Sequence, residues 1–303
     1  MIRHLLLLVT IFGIFLPAAT ATAPSRAVLP PEQSQYPENI VLLHVSPEGK
    51  ESLRTPIARY RHTDGRTVDL VGAIHLADAK YYNVLNRTFA RYDRVLYEMV
   101  DGEDMPEMIR IARKMEAGTA TAEEIERLRR YHESRETTWS GKLLNSYYDY
   151  MAHLMELALQ TNAIDYGRTN WVYADMSSDE FAAAMSERGE TWLTLVWDSL
   201  QEASAANSTD SIFSTSTPKE LRRTVCRQLA ATAKGSRSEK RAIIEARNER
   251  CFEVLDNILD KDPSARHLAI FYGAMHLRDM HHRLLQRDFS LVGVQWITAI
   301  RVD

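Results

Sequence analysis

Cysteine is scarce in this chain, which carries only Cys226 and Cys251 among its 303 residues. Two cysteines are too few for a disulfide-rich scaffold or for a zinc site built from cysteines alone. In an oxidising compartment the two are as ready to pair as to stay free, and the sequence leaves both outcomes open.

An excess of basic charge is also missing. Lys and Arg together number 37 against 41 Asp and Glu, which gives a formal net charge of -4. Nucleic-acid-binding proteins need a clear basic excess, because they neutralise phosphates. The composition therefore argues against a nucleic-acid partner and leaves a peptide or a small molecule as the expected partner. Nothing in the sequence indicates an oligomeric state.

The N-terminal apolar run, Leu5–Leu16, is too short to span a bilayer comfortably, which takes about 20 residues. It follows a short basic start and precedes small residues that end in Ala21-Thr22-Ala23. This layout is typical of a secretory signal peptide that is cut after Ala23. We therefore expect residues 1–23 to be a signal peptide and the protein to be exported, either periplasmic or secreted. It would meet the membrane only before cleavage; an uncleaved anchor is the alternative.

Three well-known catalytic motifs are absent from the sequence. It contains no His-Glu-x-x-His helix, no Gly-x-Ser-x-Gly elbow and no phosphate-binding loop. These absences argue against the enzyme classes that depend on those motifs, and they leave a metal-free esterase without a recognisable nucleophile.

The remaining pattern predicts one domain over residues 39–303, preceded by an extended leader at 24–38. A strand at Val68–Ile74, a helix at about 78–90 and a strand at Arg94–Val100 form a β-α-β unit, which indicates parallel pairing. Strands are also predicted at Ile40–Val45, Ile57–His62, Asn170–Ala174, His267–Tyr272 and Leu291–Arg301. We expect an α/β (α+β) fold with a central mixed sheet from the N- and C-terminal parts. A helical insert at about 104–260 would be its lid or subdomain.

Two segments far apart in the chain repeat one arrangement. Each is an apolar strand, then a glycine, a histidine three residues later and an aspartate three residues beyond that. The residues are Gly72, His75 and Asp78 in the first copy and Gly273, His276 and Asp279 in the second. Glycine lets the backbone turn or approach closely, and open α/β sheets place their ligands at the carboxyl ends of strands. The repeat therefore predicts that two histidines project from one edge of the sheet.

Glu98 adds a carboxylate to this picture, because it lies in the apolar strand 94–100. An ionised carboxylate there is costly unless it is paired or bound to a metal. Two histidines and one glutamate are a common ligand set for a catalytic divalent metal, which would activate water and polarise a carbonyl. The sequence leaves open whether Glu98 is a ligand or the general base. It could also be a buried ion pair with an arginine.

Both aspartates of the repeat have two interpretations. Asp78 and Asp279 can orient the histidines from a second layer around the metal. They can also be acids of a first helical turn, which the helix dipole favours.

The segments Tyr173–Met176 and Glu245–Asn248 complete a likeness to a known family. Together with the two Gly-x-x-His motifs and Glu98, they make residues 55–300 resemble the TraB/PrgY/GumN proteins and the TIKI metalloproteases. The resemblance implies a core like that of erythromycin-esterase-like and ChaN-like proteins. It also marks His75, His276 and Glu98 as central residues, with Arg247 and Asn248 as supporting polar groups.

For the TIKI branch the resemblance implies peptide hydrolysis supported by manganese or cobalt; zinc is a further candidate. Arg247 can stabilise a developing oxyanion, or it can be a solvated arginine on a charged helix. We therefore expect an exported metal-dependent hydrolase, most simply a peptidase. The alternative is a binding protein of the same fold that holds haem, iron or a peptide signal without turnover, since a fold does not fix the chemistry.

Overall fold

The computed structural model describes residues 35–135, 139–189, 217–233 and 244–302. The predicted signal peptide and most of the predicted leader lie outside the described residues, as do three stretches of the predicted helical insert. None of the described helices is both long and apolar enough to cross a membrane.

The described residues form strands and helices in alternation, which confirms the predicted α/β class. The strands are β1 (Leu42–Val45), β2 (Glu51–His62), β3 (Thr67–Ala73), β4 (Leu76–Ala77), β5 (Arg94–Tyr97), β6 (Ala158–Leu159), β7 (Trp171–Tyr173), β8 (His267–Gly273) and β9 (Phe289–Val302). The helices are α1 (Ala79–Phe89), α2 (Met105–Glu116), α3 (Ala122–Arg135), α4 (Trp139–Met155), α5 (Gln160–Ala163), α6 (Ser178–Glu187), α7 (Pro218–Thr232), α8 (Glu245–Lys261) and α9 (Leu277–Leu285).

The main sheet has seven strands and is mixed, as the sequence predicts. Its order is β1-β2-β3-β8-β5-β7, and β9 pairs with β2. Strands β3, β8, β5 and β7 are parallel, whereas β2 is antiparallel to β1, β3 and β9. The middle of the chain contributes β7 to this sheet, so the predicted insert is not helical throughout. Strands β4 and β6 form a separate antiparallel pair.

Alternation along the central strands places one apolar cluster on each face of the sheet. In β3, Val68 and Leu70 belong to the first cluster, and Val71 and Ala73 to the second. Every residue of β3 is buried, as expected for a parallel strand covered on both faces. Helix α1 covers the second face with an apolar stripe formed by Tyr81, Tyr82, Leu85 and Phe89.

Both cysteines are buried in the first cluster and are unpaired. The thiol of Cys226 lies near Leu53, whereas that of Cys251 lies near Tyr272. The thiols thus pack against different strands, which agrees with the free alternative rather than with a disulfide.

The position of β8 decides where the two histidine motifs meet. This strand comes from near the C-terminus and lies between β3 and β5. The two strands of the predicted β-α-β unit are therefore not neighbours, because each pairs with β8 instead. Ala73 of β3 is level with Gly273 of β8, and Tyr97 of β5 is level with Phe271. The carboxyl ends of the three strands therefore share one edge of the sheet.

Asp69 is the one charged residue within β3, and its carboxylate is only 1% exposed. Arg59 donates two hydrogen bonds to it at 2.9 and 2.8 Å, and the Tyr92 hydroxyl donates a third at 2.6 Å. The charge is thus compensated from the neighbouring strand β2 and from the loop before β5.

We expect Asp69→Asn to lower the free energy of unfolding by about 2 kcal/mol, because it weakens two charge-assisted bonds in a buried place. Urea unfolding of the mature protein measures this. Asp64→Asn is the matched control, since Asp64 pairs with Arg66 in an exposed turn where such pairs contribute about 0 to 1 kcal/mol. Equal losses in the two variants would contradict the interpretation of Asp69.

Candidate active site

His276 ends a single 3-10 turn, Ala274–His276, that follows β8. Its side chain is 2% exposed. One ring nitrogen, Nδ1, lies 2.6 Å from Oδ1 of Asn248. The other, Nε2, is buried without a hydrogen-bond partner among the described residues, and it lies 3.5 Å from Oε1 of Glu98.

Glu98 comes directly after β5, and its backbone N–H donates to the carbonyl oxygen of Phe271 at 3.2 Å. Its Oε2 accepts the Gly273 N–H at 2.5 Å, and its Oε1 lies 2.8 Å from Nη2 of Arg247. Burial opposes ionisation of the carboxyl, but Arg247, His276 and the Gly273 N–H together hold the pKa of Glu98 well below its usual range. Glu98 is therefore an anion that faces His276.

Arg247 lies on α8 and is buried rather than solvated. Its Nε and Nη2 donate to the two carboxylate oxygens of Asp175 at 2.9 and 2.5 Å, and Nη2 also reaches Glu98. The predicted alternative of a solvated arginine is wrong, because the helix turns this residue toward the sheet edge. Arg247 instead holds Glu98 in place through Nη2.

Asp175 is the residue at this site to which the sequence assigned no role. It follows β7, the strand next to β5, and it is fully buried. Its signal in the sequence is an acid directly after a short apolar strand, the same pattern that drew attention to Glu98.

The two aspartates of the repeat have different surroundings. Asp279, in the first turn of α9, accepts a hydrogen bond from Nδ2 of Asn248 at 2.8 Å, so it reaches His276 through that amide. Asp78 lies at the N-cap of α1, where its carboxylate faces Arg301 at 3.1 to 3.3 Å and Arg222 at 3.5 Å. The orienting role predicted for Asp78 is not supported, because these arginines tie its carboxylate to β9 and α7.

Three hydrogen bonds to backbone carbonyl oxygens hold the segment that carries His75, at 2.8 to 2.9 Å. Tyr81 Oη donates to the Gly72 oxygen, Tyr82 Oη donates to the Ile74 oxygen, and the Gln160 N–H donates to the His75 oxygen. The tyrosine pair of α1 therefore fixes the backbone from which the first histidine projects.

The ring of His75 lies beside that of Tyr148, with 5.8 Å between the ring centres. Burial lowers the pKa of His75, against the opposing effect of the Glu98 charge, so the imidazole is neutral near neutral pH. The charges of Glu98, Arg247 and His276 all act on the pKa of His75, so the four side chains lie close together. Within the part of the chain that the structure describes, however, no three His, Cys, Asp or Glu side chains are gathered around one point as metal ligands.

Both motif glycines allow close packing. A Cβ on Gly273 would lie 3.2 Å from Oε2 of Glu98, and one on Gly72 would lie 3.1 Å from Cδ of Pro56. Both distances are tighter than ordinary contacts, so a Cβ at either position would push against its neighbour. The glycines thus allow the close approach that the sequence predicts.

The described residues suit a divalent ion. Two donor atoms on one tetrahedral ion, each roughly 2.1 Å from it, lie about 3.4 Å apart, and the gap between His276 Nε2 and Glu98 Oε1 is 3.5 Å. Glu98 and Asp175 carry two negative charges against the single positive charge of Arg247, so a cation would be attracted. His75, whose imidazole is neutral, follows the adjacent strand β3, but its ring is not gathered with these two groups around one point.

The fold thus links six of the predicted site residues by direct contacts: His276, Glu98, Arg247, Asn248, Asp279 and Gly273. Gly72 lies on the neighbouring strand β3, and His75 lies in the loop that follows it. Asp78 points away from this group, toward Arg301 and Arg222. The predicted likeness to the TraB and TIKI proteins stays a prediction. The chain matches no family model, no curated protein and no solved structure.

Proposed function

We propose that the protein is an exported hydrolase that depends on a divalent metal and cuts peptides, as a member of the TraB/PrgY/GumN and TIKI group that its motifs resemble. The observation that supports this most is the unpartnered Nε2 of His276, which lies 3.5 Å from the Glu98 carboxylate. A buried polar atom without a partner is rare in folded proteins. A cation between the two groups would give Nε2 the partner it lacks and the Glu98 carboxylate a further one. Export rests on the signal-peptide pattern of residues 1–23.

The roles of the residues follow from their contacts. His276 and Glu98 would hold the ion, with His75 as the third ligand. Manganese, cobalt and zinc suit such a nitrogen and carboxylate set. When bound, the ion supplies Lewis-acid activation of water and of the carbonyl to be cut. The chain keeps Glu98 anionic and fixed through Arg247 and the Gly273 N–H, and it keeps His75 neutral and so able to donate a lone pair.

Haem fits this site less well than a small metal ion does. Axial ligation needs a histidine that a porphyrin face can approach, and His276, within the 3-10 turn, is 2% exposed. A small ion suits the depth of His276, whereas haem would have to bind at the partly exposed His75.

The test is the metal content of the mature protein after incubation with manganese, cobalt or zinc and removal of free ion. We expect near-stoichiometric metal and peptide hydrolysis in the wild type, and loss of both in His75→Ala and His276→Ala with an unchanged circular-dichroism spectrum. His282→Ala is the control, because His282 is exposed on α9. A wild-type protein that takes up none of the three metals would contradict the proposal.

A further inference from the structure

Among the residues that the structure describes, Asn248 alone bridges Asp279 and the His276 ring, and both its NH2 group and its oxygen are engaged. Its Nδ2 donates to Oδ2 of Asp279 at 2.8 Å and to the backbone oxygen of His276 at 3.2 Å. Its Oδ1 faces Nδ1 of His276 at 2.6 Å. Asn248 is itself fully buried, so water does not substitute for these partners.

The chemistry of these partners fixes which way the amide points. A carboxylate and a backbone carbonyl can only accept hydrogen bonds, so the end of the amide that faces them must be its NH2 group. The oxygen end then faces His276, and Nδ1 must carry a proton to donate to it. In the neutral ring the second nitrogen, Nε2, is left with its lone pair.

This tautomer is not the one that Glu98 would select. The Glu98 carboxylate lies 3.5 Å from Nε2 and would favour a proton there, as a donor to its own oxygen. The Asn248 bridge opposes that preference. Its orientation is set by the bond to the Asp279 carboxylate at 2.8 Å and, more weakly, by the bond to the His276 backbone oxygen at 3.2 Å. Arg283 in turn donates to Oδ2 of Asp279 at 2.6 Å, which holds that carboxylate in place.

We propose that Asp279 is a positioning residue that acts through Asn248 to hold His276 in the tautomer with the proton on Nδ1, so that the lone pair of Nε2 is directed at Glu98. The use of that lone pair as a metal ligand rests on the proposed function, whereas the tautomer itself does not.

The experiment is a two-bond 1H–15N correlation spectrum of the histidine rings in the metal-free mature protein, above neutral pH. The wild type is expected to show His276 protonated at Nδ1. In Asp279→Ala the freed Arg283 guanidinium, which can only donate, becomes the neighbour of Asn248. Only the longer bond to the His276 backbone oxygen, at 3.2 Å, then opposes a turn of the amide. We expect Arg283 to outweigh it, so that the amide presents its oxygen to Arg283 and its NH2 to His276, and the ring changes to the tautomer with the proton on Nε2.

Two further variants separate positioning from a general structural effect. Asp279→Asn is the conservative variant: one oxygen of Asp279 takes both the Asn248 and the Arg283 bonds, and the amide oxygen of Asn can do the same, so the wild-type tautomer is expected to return. Asp256→Ala removes another carboxylate–arginine pair, which joins α8 to Arg287 just beyond the end of α9. It is expected to leave the His276 signals unchanged.

A second readout is the affinity for manganese, measured by titration. Loss of a residue that orients a metal-binding histidine typically costs about 10- to 100-fold in metal affinity, and we expect that loss in Asp279→Ala but not in Asp256→Ala. A wild-type ring protonated at Nε2 would overturn the inference without any variant, and so would an Asp279→Ala ring still protonated at Nδ1. If the tautomer changes as expected but no protein binds metal, the inference stands and the proposed function fails.

Discussion

The Glu98→Gln variant is expected to lose about 10³-fold in the rate of peptide hydrolysis while it keeps its fold. Glutamine has nearly the same shape, and its oxygen can still accept from Arg247 or from the Gly273 N–H. It has no negative charge, however, and so cannot serve well as an anionic ligand or as a base. Hydrolysis of a mixed peptide library, followed by mass spectrometry, measures the loss.

Metal content of the same variant separates the two roles that the sequence leaves open for Glu98. The 3.5 Å separation from His276 Nε2 favours a ligand, so we expect metal to be lost together with activity. Retained metal without activity would instead make Glu98 the base. Glu253→Gln, on the exposed side of α8, is the control and should keep both. Undiminished hydrolysis by Glu98→Gln would refute a central role for this residue.

The Arg247→Met variant is expected to lose about 3 to 5 kcal/mol in the free energy of unfolding. The change leaves the carboxylates of Asp175 and Glu98 buried with no cation to compensate them. A buried charge without a partner costs much more than the pair itself contributes. Urea unfolding of the mature protein measures the difference.

The matched control is Arg287→Met, which breaks a two-bond arginine–aspartate pair on partly exposed side chains. Such surface pairs contribute about 0 to 1 kcal/mol. Adding Asp175→Leu to Arg247→Met should recover part of the lost stability, because one of the two buried carboxylates left without a counter-ion is then removed. Similar losses in Arg247→Met and Arg287→Met would show that the buried ion pairs of Arg247 contribute no more to the free energy of unfolding than a surface pair does.

Much of the fold follows from local pattern. The run 68–74, apolar except for Asp69, predicts a strand, and all seven residues of β3 are buried. Ser177 with Glu180, and Thr217 with Glu220, form reciprocal capping boxes at the starts of two helices. These features depend on residues a few positions apart, so a sequence is enough to find them.

The site was predictable in part. The repeated Gly-x-x-His pattern marked two strand ends, and an acid in an apolar strand marked Glu98. The repeat did not distinguish Asp78 from Asp279, since both stand three residues after a histidine. What separates them is the tertiary neighbour: α9 packs against α8, which supplies Asn248, whereas the start of α1 meets Arg301 of β9. Likewise, nothing near Arg247 in sequence reveals that its partner is Asp175, 72 positions away.

The place of β8 in the sheet has a consequence for the order of assembly. A ribosome makes β3 and β5 well before β8, and neither early strand has its central neighbour until that late segment exists. Strand pairings between segments so far apart are slow to form, because the chain loses the entropy of closing a long loop before any stabilising contact is made. The Glu98 carboxylate also lacks the Gly273 N–H and the His276 ring until then. A nascent or truncated chain therefore carries only part of the candidate site, and the complete set of residues comes together only when the last third of the molecule has joined the first.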